Sequence, residues 1–291
     1  MKEFLLKFAL KIWYAISLIP RKWQYKLASM LGKISLLFSK RRANIIRKNL
    51  SWCFAHQTKD VQTSLFNANI RFLGQSFFDT GVAWFWSDAA IKSHIPHHIK
   101  GLDAFLEAQK STDKGILLLG KHSQHLELDA RILGLYVTGY GVSRGSDSPA
   151  LNAAMNHGRQ KASVDMSAKT NPRQFVRWLK EGKTVVYFPD QDYGKKRSIE
   201  TSLLGTPATF TTAPYTLHRL SNCLIYFYNT YYENNTLVID IQPLDLPTHD
   251  CSAFTLALAK IIEQSISKHP AEYLWAHRRF KSTKGKESYS L

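Results

Sequence analysis

His122 and Glu127 stand five residues apart in the stretch Gly115-Ile-Leu-Leu-Leu-Gly-Lys-His-Ser-Gln-His-Leu-Glu-Leu-Asp-Ala-Arg131. An imidazole steered by a carboxylate is the usual equipment of a general base. The run Ile116–Leu119 reads as a short buried strand, and Leu126, Ile132, Leu133 and Leu135 as the apolar positions of a helix over 125–136. His122 therefore falls beyond the carboxyl end of a strand, where open α/β sheets bind their ligands. On one ideal helix, positions five apart point about 140° away from each other. The two side chains meet only if His122 lies in the loop and folds back over the first helical turn. A positive helix end suits that carboxylate. A solvated histidine at a helix start is the competing reading of these positions alone.

A second constellation is Pro189-Asp190-Gln-Asp192-Tyr193-Gly194-Lys195-Lys196-Arg197, directly after the strand-like 183–188. It joins two carboxylates and three cations through a glycine turn. Asp190 can hold a neighbouring arginine or a backbone amide, and the cations can meet phosphate. Arg144 and Arg159 offer further anion contacts, with a structural ion pair as the alternative for each. Gly141-Val-Ser143-Arg-Gly145 fits a nucleophile elbow, with Asp190 and His218 following in hydrolase order. An elbow needs a helix starting on the serine, however, and Gly145, Ser146, Asp147 and Pro149 delay one. His125, His157, His218, His277 and the His94, His97 and His98 group are expected to be structural.

These motifs resemble those of the bacterial lipid A lauroyl/myristoyl acyltransferases, a branch of the glycerolipid-type (lysophospholipid-acyltransferase-like) superfamily. His122 and Glu127 match the H-x-x-x-x-E motif, and 189–194 matches P-D-x-D-Y-G. The most specific match is Pro270-Ala-Glu-Tyr-Leu-Trp-Ala-His-Arg-Arg-Phe-Lys281, which follows P-E-x-Y-x-W-x-H-R-R-F-K with Glu shifted by one. The basic segment 40–50, with Asn49, Leu50, Cys53 and Phe54, resembles the family's Arg-rich stretch. Three departures fall in 142–149, where Ser143, Gly145 and Ser148 replace an aromatic, Pro and Asn; Ser123 replaces a bulky apolar residue.

The resemblance implies a three-layer α/β fold with a mixed central sheet and a helical, membrane-associated N-terminus. It implies transfer of a fatty acyl chain from acyl carrier protein to a hydroxyl of a lipid A precursor, in all expectation that of a bound hydroxyacyl chain. His122 would be the base and Glu127 its orienting partner. Arg144 and Arg159 would place phosphate or offset an oxyanion, with Asp190, Asp192, Tyr193, Gly194 and Lys195 binding substrate. No cofactor, metal or acyl-enzyme is required, and the place of work would be the cytoplasmic face of the bacterial inner membrane. An acyltransferase on another lysolipid or aminolipid keeps the same pair; a serine hydrolase on Ser143 and a non-enzymatic basic binder are the other classes.

The elements that must position these residues follow from patterning. The first fifty residues hold twelve Lys/Arg against Glu3 alone, in a chain of 291 residues with net charge +17. Trp13, Tyr14, Trp23 and Tyr25 are mixed with those cations, a composition that fits an anionic membrane and not a nucleic acid. Residues 4–19 form a helix with Lys7 and Lys11 on one face, short for a span and better suited to lying in the interface. No small-x-small site follows, so a cleaved leader is not expected. Pro20 opens a second helix, 40–50 a third, and 60–86 a long fourth ending in Trp84-Phe85-Trp86, read as core. Residues 1–38 are thus expected to be a membrane-anchoring region and 39–291 the acyltransferase domain.

From about residue 99, short strands alternate with helices. A helix spans 101–110 and a strand 137–142. Asn171 and Pro172 start a helix that Gly182 stops. Strands at 223–231 and 236–241 are joined by Glu233-Asn-Asn, and a helix closes over 250–268. Residues 282–291 read as frayed. Three cysteines without C-x-x-C spacing point to reduced thiols and to neither a zinc site nor a disulfide framework.

Overall fold

A computed structural model describes residues 2–143, 148–162, 165–168 and 171–290. Four helices come first: α1 (Lys2–Ser17), α2 (Arg21–Leu37), α3 (Lys40–Cys53) and α4 (Lys59–Phe85). Then follow α5 (Asp88–His94), β1 (His97–Lys100), α6 (Leu102–Lys110), β2 (Ile116–Leu119), α7 (Leu126–Leu133) and β3 (Gly139–Ser143). After α8 (Pro149–Gln160), β4 (Asp165–Ala168), α9 (Pro172–Lys180) and β5 (Thr184–Tyr187) comes the hairpin β6 (Ser198–Leu203) and β7 (Thr206–Thr211). The chain finishes with α10 (Ala213–Ser221), β8 (Leu224–Glu233), β9 (Thr236–Pro243), α11 (Cys251–Lys268) and α12 (Lys281–Lys284).

Among the described residues, seven strands form one mixed sheet in the order β1-β9-β8-β2-β5-β3-β4. Every pairing is parallel except the β8–β9 hairpin. That hairpin turns on Asn234 and Asn235, both at positive φ (49° and 63°), as an asparagine pair allows. The four residues of β2 are apolar and fully buried because the strand is covered on both faces. Leu117 and Leu119 enter a core with Phe175, Trp178, Phe210 and Phe254; Ile116 and Leu118 enter the opposite one with Phe105, Leu128 and Ile132. Period-two alternation thus separates a layer of α3, α9, α10 and α11 from one of α5, α6 and α7.

The N-terminal helices lie on α4. Gly32 and Gly74 let α2 and α4 touch backbone to backbone: a Cβ on Gly32 would stand 2.0 Å from the Ile70 carbonyl oxygen. Arg21 pins the start of α2, donating to Asp79 at 2.7 Å and to the Tyr232 hydroxyl at 3.0 Å. Among the described residues no helix is long and apolar enough to cross a membrane. Much apolar surface nonetheless stays open, including Phe4, Leu5, Phe8, Trp23, Met30 and Leu37.

The tail is not frayed. Lys281–Lys284 is helical, and the Tyr289 ring is buried, its hydroxyl donating to Asn49 and accepting from the Phe280 amide. A lone tyrosine among Lys, Ser and Gly gives no periodicity from which such docking can be read. The helix expected over 125–136 is shorter, closing at Leu133.

Candidate active site

β2 and β5 are parallel neighbours, so the loops after them leave the sheet side by side. His122 is on the first loop and Asp190 on the second. The Asp190 carboxylate takes His122 twice, accepting from its backbone N–H at 2.9 Å and pairing with ring Nδ1 at 2.7 Å. Burial alone would push this carboxyl up. The His122 charge and both hydrogen bonds outweigh burial and hold it down at about 2. The arrangement fixes ring and main chain together and leaves Nε2 without a partner among the described residues. Gly120 admits the close packing behind it, since a Cβ there would stand 2.7 Å from the Tyr228 ring.

The closing motif acts as a brace. Leu274 N–H donates to the His122 carbonyl at 3.1 Å, and Gln124 N–H to the Glu272 carbonyl at 2.8 Å. His125 is buried between Asp129 (Nδ1, 2.6 Å) and Glu272 (Nε2, 2.9 Å). Burial pulls this imidazole down, but the two carboxylates outweigh it and raise it to about 10. Its expected structural role is what the geometry gives it. His277 reaches the same loop from the other side, accepting from the Asp192 N–H at 3.4 Å. Burial and the Lys281 charge push His277 down to about 4.

Glu127 does not hold His122, and this corrects the expected pairing. Glu127 does lie in the first turn of α7, which begins at Leu126, with His122 in the loop before it, yet the ring is taken by Asp190 and the carboxylate turns to other partners. It accepts instead from Trp84 Nε1 at 2.8 Å and from Arg159 Nε at 3.0 Å. Trp84 is core, as expected, and also ties α4 to this carboxylate. Arg159 is brought to the site by α8, while Arg144 lies outside the described residues. Asp192 braces its own loop, accepting from Gly194 N–H (2.9 Å) and from Ser282 Oγ (2.6 Å). Gly194 adopts φ 96°, which explains the glycine. Tyr193 lines the cavity described below, whereas Lys195 points to Glu200 at 2.8 Å on the surface.

The hydrolase constellation does not assemble. Asp190 is taken by His122, and His218 Nδ1 is engaged with the Cys223 carbonyl at 2.9 Å. The helix after β3 starts at Pro149, six residues past Ser143, whose side chain is outside the described residues. Among the described residues no cluster of His, Cys, Asp or Glu is arranged to hold a metal ion.

His122, Glu127 and Arg159 all open on one cavity of about 790 Å³. Its remaining walls are mainly apolar, from α7, α9, α10, β3 and β5. A base steered by a carboxylate, a carboxylate-anchored guanidinium and a largely hydrocarbon-lined hollow together suit proton abstraction on a lipid. Asp190 is expected among the substrate-binding residues and His277 as structural; that Asp190 is the partner of the His122 ring escapes the sequence because β-strand order is not encoded locally.

The profile of a family described as "Bacterial lipid A biosynthesis acyltransferase" matches residues 1–282. "Lipid A biosynthesis lauroyltransferase" of Escherichia coli (strain K12) is 33% identical over 276 residues, covering 93% of this chain and 89% of that protein. "Lipid A biosynthesis acyltransferase" of Haemophilus influenzae (strain ATCC 51907 / DSM 11121 / KW20 / Rd) is 33% identical over 303 residues, 100% of this chain and 94% of its own. "Lipid A biosynthesis palmitoleoyltransferase" of the same E. coli strain is 32% identical over 261 residues, with 88% and 84% covered.

Proposed function

The chain belongs to the bacterial lipid A biosynthesis acyltransferases, and on that premise we propose that it moves a fatty acyl chain from acyl carrier protein to a hydroxyl of a lipid A precursor. The acceptor is the hydroxyl of an acyl chain already on that precursor, giving an acyloxyacyl ester. The observation that carries this reading is the His122 ring clamped by Asp190 at the wall of an apolar cavity.

In the reaction, His122 Nε2 takes the proton of the acceptor hydroxyl as that oxygen attacks the thioester carbonyl. Asp190 stabilises the imidazolium and keeps Nδ1–H in place. The tetrahedral oxyanion collapses with cleavage of the carbon–sulfur bond, and the leaving thiolate takes the proton back from His122. Glu127 holds Arg159 at the cavity, where the guanidinium offsets oxyanion charge or meets phosphate, a task shared with Arg144. Asp192, Tyr193 and Gly194 shape the substrate-binding loop, and Lys195 adds a cation beside it. No acyl-enzyme forms.

Residues 1–38 seat the protein on the cytoplasmic face of the inner membrane, supported by the open apolar side chains of α1 and α2 among their lysines. The test is a transfer assay with an acyl carrier protein thioester and a lipid A precursor, read by mass spectrometry. One ester-linked acyl mass that requires both substrates is expected. Free fatty acid released without an acceptor, or transfer from a coenzyme A thioester alone, would overturn the reading.

A further inference from the structure

The residues lining the cavity fall into two sets, one on each side of the sheet, and each set forms an arm. Val186 and Phe188 face the core that contains α7, whereas Tyr187 between them faces the opposite core. All three line the cavity, so it wraps around the end of β5. One arm runs between α9 and α10, past Val176 and Leu220, and carries Arg173 and Arg197. The other follows α7.

Along α7 the lining positions are Leu126, Ala130, Leu133 and Gly134, with Val137 beyond its end. Spacings of three and four place them in one stripe down the helix. The opposite face, with Leu128 and Ile132, is packed in the core. Eight residues make a channel wall about 12 Å long. The stripe ends where β3 begins, at Gly139, and between Glu127 and Gly139 no charged side chain lines this arm among the described residues.

Two glycines stand at the far end, and they differ. A Cβ on Gly134 would be 2.4 Å from the Ala162 carbonyl oxygen, so that position is closed to substitution. A Cβ on Gly139 would meet, among the described atoms, only Val186 Cγ2, at an ordinary 3.6 Å. Its backbone is not in the left-handed region. A Cβ at 139 therefore meets no described main-chain atom, and a side chain there adds to the cavity wall.

We propose that the α7 arm receives the acyl chain being transferred, carbonyl at His122 and methyl end toward Gly139, and that the absence of a side chain at 139 sets the longest chain accepted. The arginine-bearing arm then takes the phosphorylated acceptor lipid. This rests on the acyl-transfer reading above and adds which arm measures the donor.

The experiment compares acyl carrier protein thioesters of graded length on wild type, Gly139→Val and Leu220→Trp, with a fixed lipid A precursor. For Gly139→Val, kcat/KM on the longest chain used by wild type should fall about tenfold or more, as one or two methylenes in an apolar pocket allow. Rates on the shortest chains should stay within about twofold. Leu220→Trp should raise KM for the acceptor and leave the donor profile unchanged. An active Gly139→Val with an unmoved profile, or a donor shift in Leu220→Trp, overturns the proposal. If Gly139→Val misfolds by circular dichroism, Gly139→Ala carries the test: a smaller shift in the same direction is expected, and none overturns it. Wild type that transfers no chain removes the reaction itself, an outcome distinct from normal transfer with unchanged length preference.

Discussion

Two carboxylates serve this site, and they hold different things. Asp190 stands buried behind His122 and binds its ring and amide; Glu127 faces the cavity and binds Arg159 and Trp84. Asp190→Asn removes the charge that stabilises the imidazolium and permits the wrong tautomer, so kcat should fall on the order of a hundredfold or more with the melting curve preserved. An Asp190→Asn enzyme within twofold of wild type would show that the clamp is structural. Glu127→Ala should be comparably slow for another reason, the loss of the Arg159 anchor. A double-mutant cycle separates the cases: Glu127→Ala with Arg159→Ala should cost little more than either alone, because the two act as one unit. Fully additive losses would mean that they act independently. The sequence exposed His122, Glu127 and Asp190 as reactive types in suggestive strings. It could not tell which carboxylate meets the ring, because that depends on β2 lying beside β5.

At the scale of elements, the closing motif and the loop after β2 form one folded unit. His125 is its charged bolt, bonded to Asp129 on α7 and Glu272 of the closing motif. A folded-state value near 10 against an ordinary 6.5 means that its contribution is fully present below about pH 6.5. That contribution fades as pH rises toward 10. Wild type should therefore lose melting temperature between pH 7 and 10 more steeply than His125→Gln, measured by calorimetry on both. Parallel curves would contradict the charged pairing. The α2–α4 contact is equally specific: Gly32→Val drives a side chain into the Ile70 carbonyl and should destabilise by about 1–3 kcal/mol. Unchanged denaturant midpoints would refute that packing.

Helices with strong apolar stripes and the wholly apolar β2 were legible, as were the start of the closing helix at residue 250 and the Asn turn of the β8–β9 hairpin. The β6–β7 hairpin, α5, α10, β1 and β4 were not. Ser198–Leu203 mixes Ser, Glu and Thr with two apolar residues, too little contrast for a period to show.

For the molecule as a whole, charge and apolar exposure coincide at one end. Phe4, Leu37 and Phe38 are 73%, 75% and 87% exposed, near Lys7, Lys11 and Lys40. Apolar area gives depth in a bilayer, and the cations add attraction to anionic lipid that salt screens. The protein should co-sediment with vesicles containing phosphatidylglycerol, less so at 0.5 M than at 0.1 M salt, and lose most of that binding when residues 1–20 are removed. Retention by the truncated chain would place the membrane contact elsewhere. On the proposed reaction, such a seat would supply the cavity with lipid.

The most direct measurement is mass spectrometry of lipid A from cells whose own copy of this gene is replaced by wild type or by His122→Ala, at matched protein levels. The account predicts one acyl group fewer per molecule in the His122→Ala cells. Identical lipid A from both would contradict it.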